Sequence, residues 1–396
     1  MKSLLFITTS SLASNPRLVK EFECLKEGHT CYVVCFIHHD WSLALCEAIK
    51  ARNKDVYFIE IDRRVSVFET ALSKLLHKLA IVINPFFSKR FKVCAFASND
   101  KAIQLTFRTK KLRKKYEFNK VIAHNLGAFY PAVKVSQFQN TRLQLDIEDF
   151  YPGEALYFNK TYEKANRNCI MQSSFLHAES ITYASKGIED ECEKVFKTNA
   201  KTHHLTIINA FESSDFKKPK KRKDNIVKCV WFSQNIGPNR GLEQVFDAAQ
   251  VNEDIEFHII GNSNLDYLKT VDLSPNVKCH DVMDQTQLHE FLGEMDIGLA
   301  LENRNADFNR NICLTNKILV YAQVGLYILA TDTVGQRNFL KELNYNAGEI
   351  IKINVLDSLL RIDATFLRHE SRIMRWENAK SFSWEKEQMK LIRAIK

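Results

Sequence analysis

The sequence predicts an α/β protein of two domains, each a parallel sheet with helices on both faces. Three observations carry that expectation. Short apolar runs alternate with amphipathic stretches along nearly the whole chain, as strands covered by helices do. The alternation pauses at a Lys-rich stretch near residues 211–225 and then resumes. With 396 residues, 45% of them hydrophobic, the chain can bury two cores of ordinary size.

The first strand is LLFITT, from Leu4 to Thr9. A helix opens after it at Asn15-Pro16: Asn caps, and Pro takes the first helical position, where a missing N–H costs nothing. CYVVCF, VYFIEI, KVIAHN, RLQLDI, SITYAS and HLTIIN continue the strand series. VKCVWFS, EFHIIG, VKCHD, DIGLALE and LYILAT repeat it in the second half. Between the last two, Thr315 reads as an N-cap, Ile318, Tyr321 and Ala322 recur at helical spacing, and Gly325 is the stop. The apolar run from Leu326 to Ala330 then reads as a buried central strand.

Composition excludes several classes. Ten cysteines are scattered, only Cys31 and Cys35 lie close together, and no CxxC pair exists, so neither a zinc nor a disulfide framework is expected. No run approaches the roughly 20 apolar residues of a membrane-spanning helix. In MKSLLFITTSSLAS the apolar core ends at Ile7, too short for a signal peptide, and a cytoplasmic protein is expected. A P-loop, a GxSxG elbow and a metal site with usable ligand spacing are absent.

Charge is concentrated. Between Arg63 and Lys120 stand 15 basic residues against three acids, a local net of +12 in a chain of net +9. Within that segment, LLHKLAIVINPFFSKRFKVCAF interleaves Leu, Ile and Phe with Lys78, Lys89, Arg90 and Lys92. Such a mixture suits an anionic membrane surface or a lipid-linked substrate. Nucleic acid is the competing anion and is not expected as a partner; a solvated helix face is the plain alternative. KKPKKRK, from Lys217 to Lys223, has no apolar partners and reads as a solvated linker.

Open parallel sheets bind ligands outside the carboxyl ends of their strands. In the second half those ends lead into the loops from Ser233 to Glu243, Gly261 to Asn264, Glu302 to Lys317 and Thr331 to Arg337. All are rich in Gly, Asn, Arg and Thr, which offer the donors that phosphates and sugar hydroxyls require. The stretch from Asn303 to Asn311 is also longer than an ordinary connection. Lys317 stands in the first turn of a helix, where the dipole disfavours a cation unless an anion lies in front of it.

Taken together and in order, TTSSLASNPRLVKE, VIAHNLGA, DIEDFYPGE, VWFSQNIGPNRGLE, TNKILVYAQVG and FSWEKEQ resemble the family 4 glycosyltransferases. The resemblance implies the GT-B fold: two Rossmann-like domains with parallel sheets facing a central cleft. It places an acceptor-binding domain at residues 1–210, a nucleotide-sugar-binding domain at 211–378, and a helix returning to the first domain at 379–396. The implied activity is retaining transfer of a sugar from a nucleotide-sugar donor to a lipid-linked or glycan acceptor, without cofactor or metal. That places the protein at the inner face of the cytoplasmic membrane.

By the same resemblance, Arg240 and Lys317 grip the donor diphosphate, with Gly237 and Asn316 beside them. From their place in the strand-end loops, Gln234, Asn262, Glu302 and Asp307 are candidates to meet the donor's nucleotide or sugar; Glu302, Asn305 or Asp307 could replace the family's ribose-binding glutamate, though none is at matching spacing. His124 sits beside the transferred sugar as the catalytic residue, and Asn15, Arg17 and Asp149 meet the acceptor, with Asp146 and Glu148 nearby. The chain departs from the family where two glutamates eight residues apart are usual, since Ile312 and Val320 fall there; Gln234 replaces a second arginine, and no glycine-rich loop follows the first strand. DIED does not match the Asp-x-Asp spacing of metal-dependent transferases of another fold. A non-catalytic glycan- or membrane-binding protein and a nucleotide-sugar epimerase are the alternatives.

Overall fold

The computed structural model describes every residue except Ser88, Phe158, Asn159, Lys223, Asn225, Arg304, Asn305, Asn344, Tyr345 and Lys396, and only the backbone of Thr161 and Ile395. The chain divides into two compact units, Met1–Ile207 with Lys390–Lys396, and Ile208–Met389.

The first unit is built on seven strands: β1 Lys2–Thr8, β2 His29–Ile37, β3 Tyr57–Asp62, β4 Lys120–His124, β5 Arg142–Ile147, β6 Ser180–Tyr183 and β7 His203–Thr206. Their order is β3-β2-β1-β4-β5-β6-β7, and every adjacent pair is parallel. The central strands β4 and β5 are buried almost throughout, so both faces must be covered, as the helical crossovers of a parallel sheet do. Strand order reverses between β1 and β4, the position where such sheets open a crevice. The helix Pro16–Leu25 begins as its sequence predicts, with the Asn15 side chain accepting from the Leu18 amide at 3.1 Å.

The second unit repeats the plan with β8 Val227–Ile236, β9 Ile255–Ser263, β10 Val277–His280, β11 Ile297–Ala300, β12 Tyr327–Ala330 and β13 Gly348–Ile350, in the order β10-β9-β8-β11-β12-β13. Two apolar clusters share these strands by alternation: Val230 belongs to one, Cys229 and Trp231 to the other, and likewise Ile328 against Leu329. Period-two alternation between two cores is what a sheet buried on both faces requires.

Three sequence expectations need correction. β13 was not foreseen, because three residues at a sheet edge leave no run long enough to register. β8 and β9 continue past their apolar cores, so Gln234 and Asn262 lie on strands, with Asn235 opposite Asn262 after a bulge, and not in loops. The Lys-rich stretch is not simply solvated: Arg222 donates to Glu294 O, Ile226 O and Asp296 and is anchored to the second unit, while Lys217 pairs with Glu290.

Candidate functional site

In the second unit, the strand order reverses between β8 and β11, and basic side chains gather there. Lys317 lies in the first turn of the helix Asn316–Val324; its Nζ donates to Leu301 O at 3.2 Å, lies 3.6 Å from Glu302 and stands over the Trp231 ring. Burial lowers its pKa first; Glu302 opposes that shift, while the like charges of Arg240 and Arg310 add to it. Three cations thus gather at a helix entrance, with Glu302 beside Lys317 and Asp307 3.9 Å from Arg310. Thr315, the expected N-cap, makes no capping bond, and its buried hydroxyl has no partner among the described residues.

The rest of this region is held by backbone geometry. Gly241 sits at φ +77° before the helix Leu242–Val251, and a Cβ there would lie 3.1 Å from Leu301, so glycine brings Arg240 close to the end of β11. Gly237 faces open space. Asn316 is exposed and accepts from Asn209 at 3.0 Å. Asp307 caps the short helix Phe308–Ile312 through the Arg310 amide. Asn305 lies outside the described residues. Ile312 and Val320, at the family's glutamate positions, are buried, Val320 within the apolar core. Sequence reasoning missed Gln336: it is buried at the start of the helix Val334–Glu342, with neither amide atom partnered among the described residues. Only its place in a Gly-flanked loop after a strand could have marked it.

In the first unit the carboxyl ends of β4 and β5 meet the helix Pro16–Leu25 in a buried charge network. His124 Nε2 lies 2.7 Å from Glu21, and its Nδ1 lies 3.2 Å from Asp146 and 3.4 Å from Glu148. Arg17 grips both oxygens of Asp146, at 2.9 and 2.7 Å, and donates to Ile207 O. Arg17 and Glu21 are four residues apart on one helix, so both reach the same point. Burial disfavours the imidazolium, but Asp146, Glu148 and Glu21 outweigh it and raise the His124 pKa well above its ordinary value. The Asp146 pKa is lowered: burial works against this, and Arg17 and His124 prevail.

These contacts change the roles expected from sequence. The His124 side chain is 1% exposed with both nitrogens engaged, so it lies beneath the surface and presents no free nitrogen to a ligand in this geometry. Asn15 is buried as a cap, and Arg17 is committed to Asp146 and Ile207 O. Asp149 is half-buried beside the turn Tyr151–Gly153. His124, Asp146 and Glu148 could geometrically hold a cation, but Asp146 is already neutralised by the Arg17 fork and also accepts from Thr182 at 2.6 Å.

No protein-family model matches the chain, and no curated protein matches it in sequence. Solved structures match it over its whole length. Anabaena HepE in complex with UDP and glucose aligns with TM-score 0.64 at 13% identity, covering 100% of this chain and 99% of that one. A glycosyltransferase from Rickettsia africae aligns with TM-score 0.64 at 11% identity, covering 99% and 97%. The lipopolysaccharide outer core galactosyltransferase WaaB in its apo form aligns with TM-score 0.63 at 13% identity, covering 100% and 99%. At these identities the likeness is one of fold, and the fold is GT-B.

Proposed function

We propose that this chain is a nucleotide-sugar-dependent glycosyltransferase of the family 4 type, a retaining hexosyltransferase. The observation that carries this reading is the crowding of Lys317, Arg240 and Arg310 at the switch point of the second sheet, with Glu302 beside Lys317 and Asp307 beside Arg310. A donor diphosphate supplies the missing negative charge, and the entrance of the helix Asn316–Val324 adds backbone N–H groups and a positive dipole. HepE in complex with UDP-glucose shows that a chain of this fold binds such a donor.

In the reaction, the bond from the sugar's anomeric carbon to the diphosphate breaks and a bond to an acceptor oxygen forms on the same face. The acceptor's proton leaves with the departing phosphate. Arg240 and Lys317 stabilise the charge that develops on that leaving group, so no carboxylate pair of the hydrolase kind is required. Glu302, beside Lys317, is the carboxylate placed to meet donor hydroxyls in place of the absent glutamates. The acceptor is lipid-linked, and the protein works at the inner membrane face. Support comes from the helix Val67–Ile83, which exposes Phe68, Leu75, Leu79 and Val82 beside Lys74 and Lys78.

A binding protein without turnover is the second reading, favoured by the buried Ile312 and Val320 where the family has acids. Proton NMR of the chain incubated with UDP-, GDP-, ADP- and CMP-sugars separates the two. Slow release of sugar from one donor, appearing first with the donor's own anomeric configuration, is expected. Inverted product contradicts retention, and binding without any release selects the second reading.

A further inference from the structure

The second unit contains a cavity of about 320 Å³ at the amino ends of β8 and β11, where Val227 and Asp296 line it. All strands of this sheet are parallel, so that edge lies opposite the one that carries Lys317. Asp296 and Leu301 stand at the two ends of β11, which separates the edges by about 16 Å.

Five lysines and arginines line the cavity against two acids, and the acids are already occupied. Asp296 accepts from Arg222 at 2.7 Å and from the Lys228 amide at 2.9 Å. Asp224 lies 3.3 Å from Lys228 and 3.7 Å from Arg222. Among the described residues, Lys220, Lys221, Arg368 and Arg372 have no carboxylate within ion-pair distance.

Arg372 makes this imbalance costly. It is 4% exposed, and its Nη2 donates to Leu292 O at 3.3 Å and to Gly293 O at 2.7 Å. Two carbonyls satisfy hydrogen bonds without cancelling a charge, and a buried charge ordinarily has a counter-ion. Burial lowers the Arg372 pKa to about 10; Asp296 opposes that shift, and the like charge of Arg222 adds to it. The helix His369–Ala379 begins at the same cavity, with Arg368 as its N-cap and no side-chain capping bond. Cations at a helix entrance oppose its dipole unless an anion lies in front of them. Glu370, the acid of that first turn, is not among the residues that line the cavity.

The occupant's chemistry follows from the directions of these donors. Lys220 and Lys221 come from the basic linker, Arg368 and the free amides from the helix entrance, and the buried charge of Arg372 from the first turn behind them. A carboxylate offers one charge and two oxygens in a plane, whereas a phosphoryl group offers up to two charges and three oxygens. The volume leaves room beside one phosphate for the group that carries it, against Ala364 and Leu367. We infer that this cavity is a second anion site, which binds the phosphate of a small phosphorylated ligand between Lys220, Lys221, Arg368 and the entrance of the helix His369–Ala379. The site stands independently of the transferase reading, which rests on the opposite edge of the sheet.

Calorimetric titration of pyrophosphate into the full chain carrying Arg240→Ala tests it, because that background weakens the cation cluster at the other edge. Saturable binding is expected. Arg368→Gln with Lys221→Gln, both exposed side chains, should weaken it at least 10-fold, and so should Arg372→Met in a chain shown by circular dichroism to be folded. Absence of saturable binding, equal affinity for succinate, or binding that the exposed double variant leaves unchanged overturns the assignment. Sedimentation with phosphatidic acid vesicles separates a lipid headgroup from a free ligand: vesicle binding that the double variant abolishes, with pyrophosphate failing to compete, overturns the small-ligand site.

Discussion

Lys120 shows how much chemistry a single residue can hide in a strand. It begins β4, is 1% exposed, and its ammonium has no hydrogen-bond partner among the described residues. Burial lowers its pKa from 10.5 to about 8, against a favourable contribution from Glu21. The unfolded chain therefore holds this proton more tightly than the folded one. The penalty is present in full below pH 8 and fades as pH rises from about 8 to 10.5. Lys120→Met should raise stability by roughly 2–3 kcal/mol at neutral pH. The difference between variant and parent in thermal unfolding should shrink across that alkaline window; a constant difference would show that the lysine is not strained by burial. In the sequence Lys120 was simply one more charge in the basic segment. Its burial is set by tertiary packing, which pattern alone does not contain. Arg17 and His124 were legible as positions near strand ends and not as partners, because Arg17 meets Asp146 and His124 meets Glu21, residues more than 100 apart in sequence.

At the scale of elements, helix ends and strands were readable except for the three-residue edge strand β13. The helix Asn316–Val324 ends at Gly325 in the left-handed region, φ +81°, where a Cβ would meet Arg372 O at 2.7 Å. Gly325→Ala combines an unfavourable backbone with a clash and should cost about 2–4 kcal/mol, read as a lowered midpoint in denaturant. A cost below about 0.5 kcal/mol would mean that the close approach is wrong. The helix entrance was read correctly in position, but the unmet Thr315 hydroxyl is visible only in three dimensions. The apolar, basic character of the helix Val67–Ile83 was plain in sequence, and its face is exposed, with Phe68 81% accessible and Phe86, just beyond it, 83%. Association with anionic vesicles should be strongest at low salt, since each basic residue near the surface contributes about 1 kcal/mol. Phe68→Asp with Phe86→Asp should reduce it at least 10-fold in a sedimentation assay. Undiminished binding would point to another surface.

For the whole molecule, the repeated strand order is the strongest evidence of common design in the two units. Each sheet runs outward from its first strand and then reverses, so each has one switch point. The cation cluster lies at one of them, at the entrance of the helix Asn316–Val324. The strand–helix alternation made two such sheets legible. The loops at their ends stood out as candidate sites, because Gly, Asn and Arg gathered there. What each loop residue touches was not, since bulges, caps and ion pairs had already claimed several of the candidates.

The central claim is that Arg240 and Lys317 together hold a nucleotide diphosphate. Calorimetric titration of UDP into the wild-type chain, Arg240→Ala and Lys317→Ala tests it most directly. Removing one charge-assisted contact should weaken binding about 10- to 100-fold in each variant. Undiminished UDP affinity in both folded variants would contradict the diphosphate site and, with it, the transferase reading built on it.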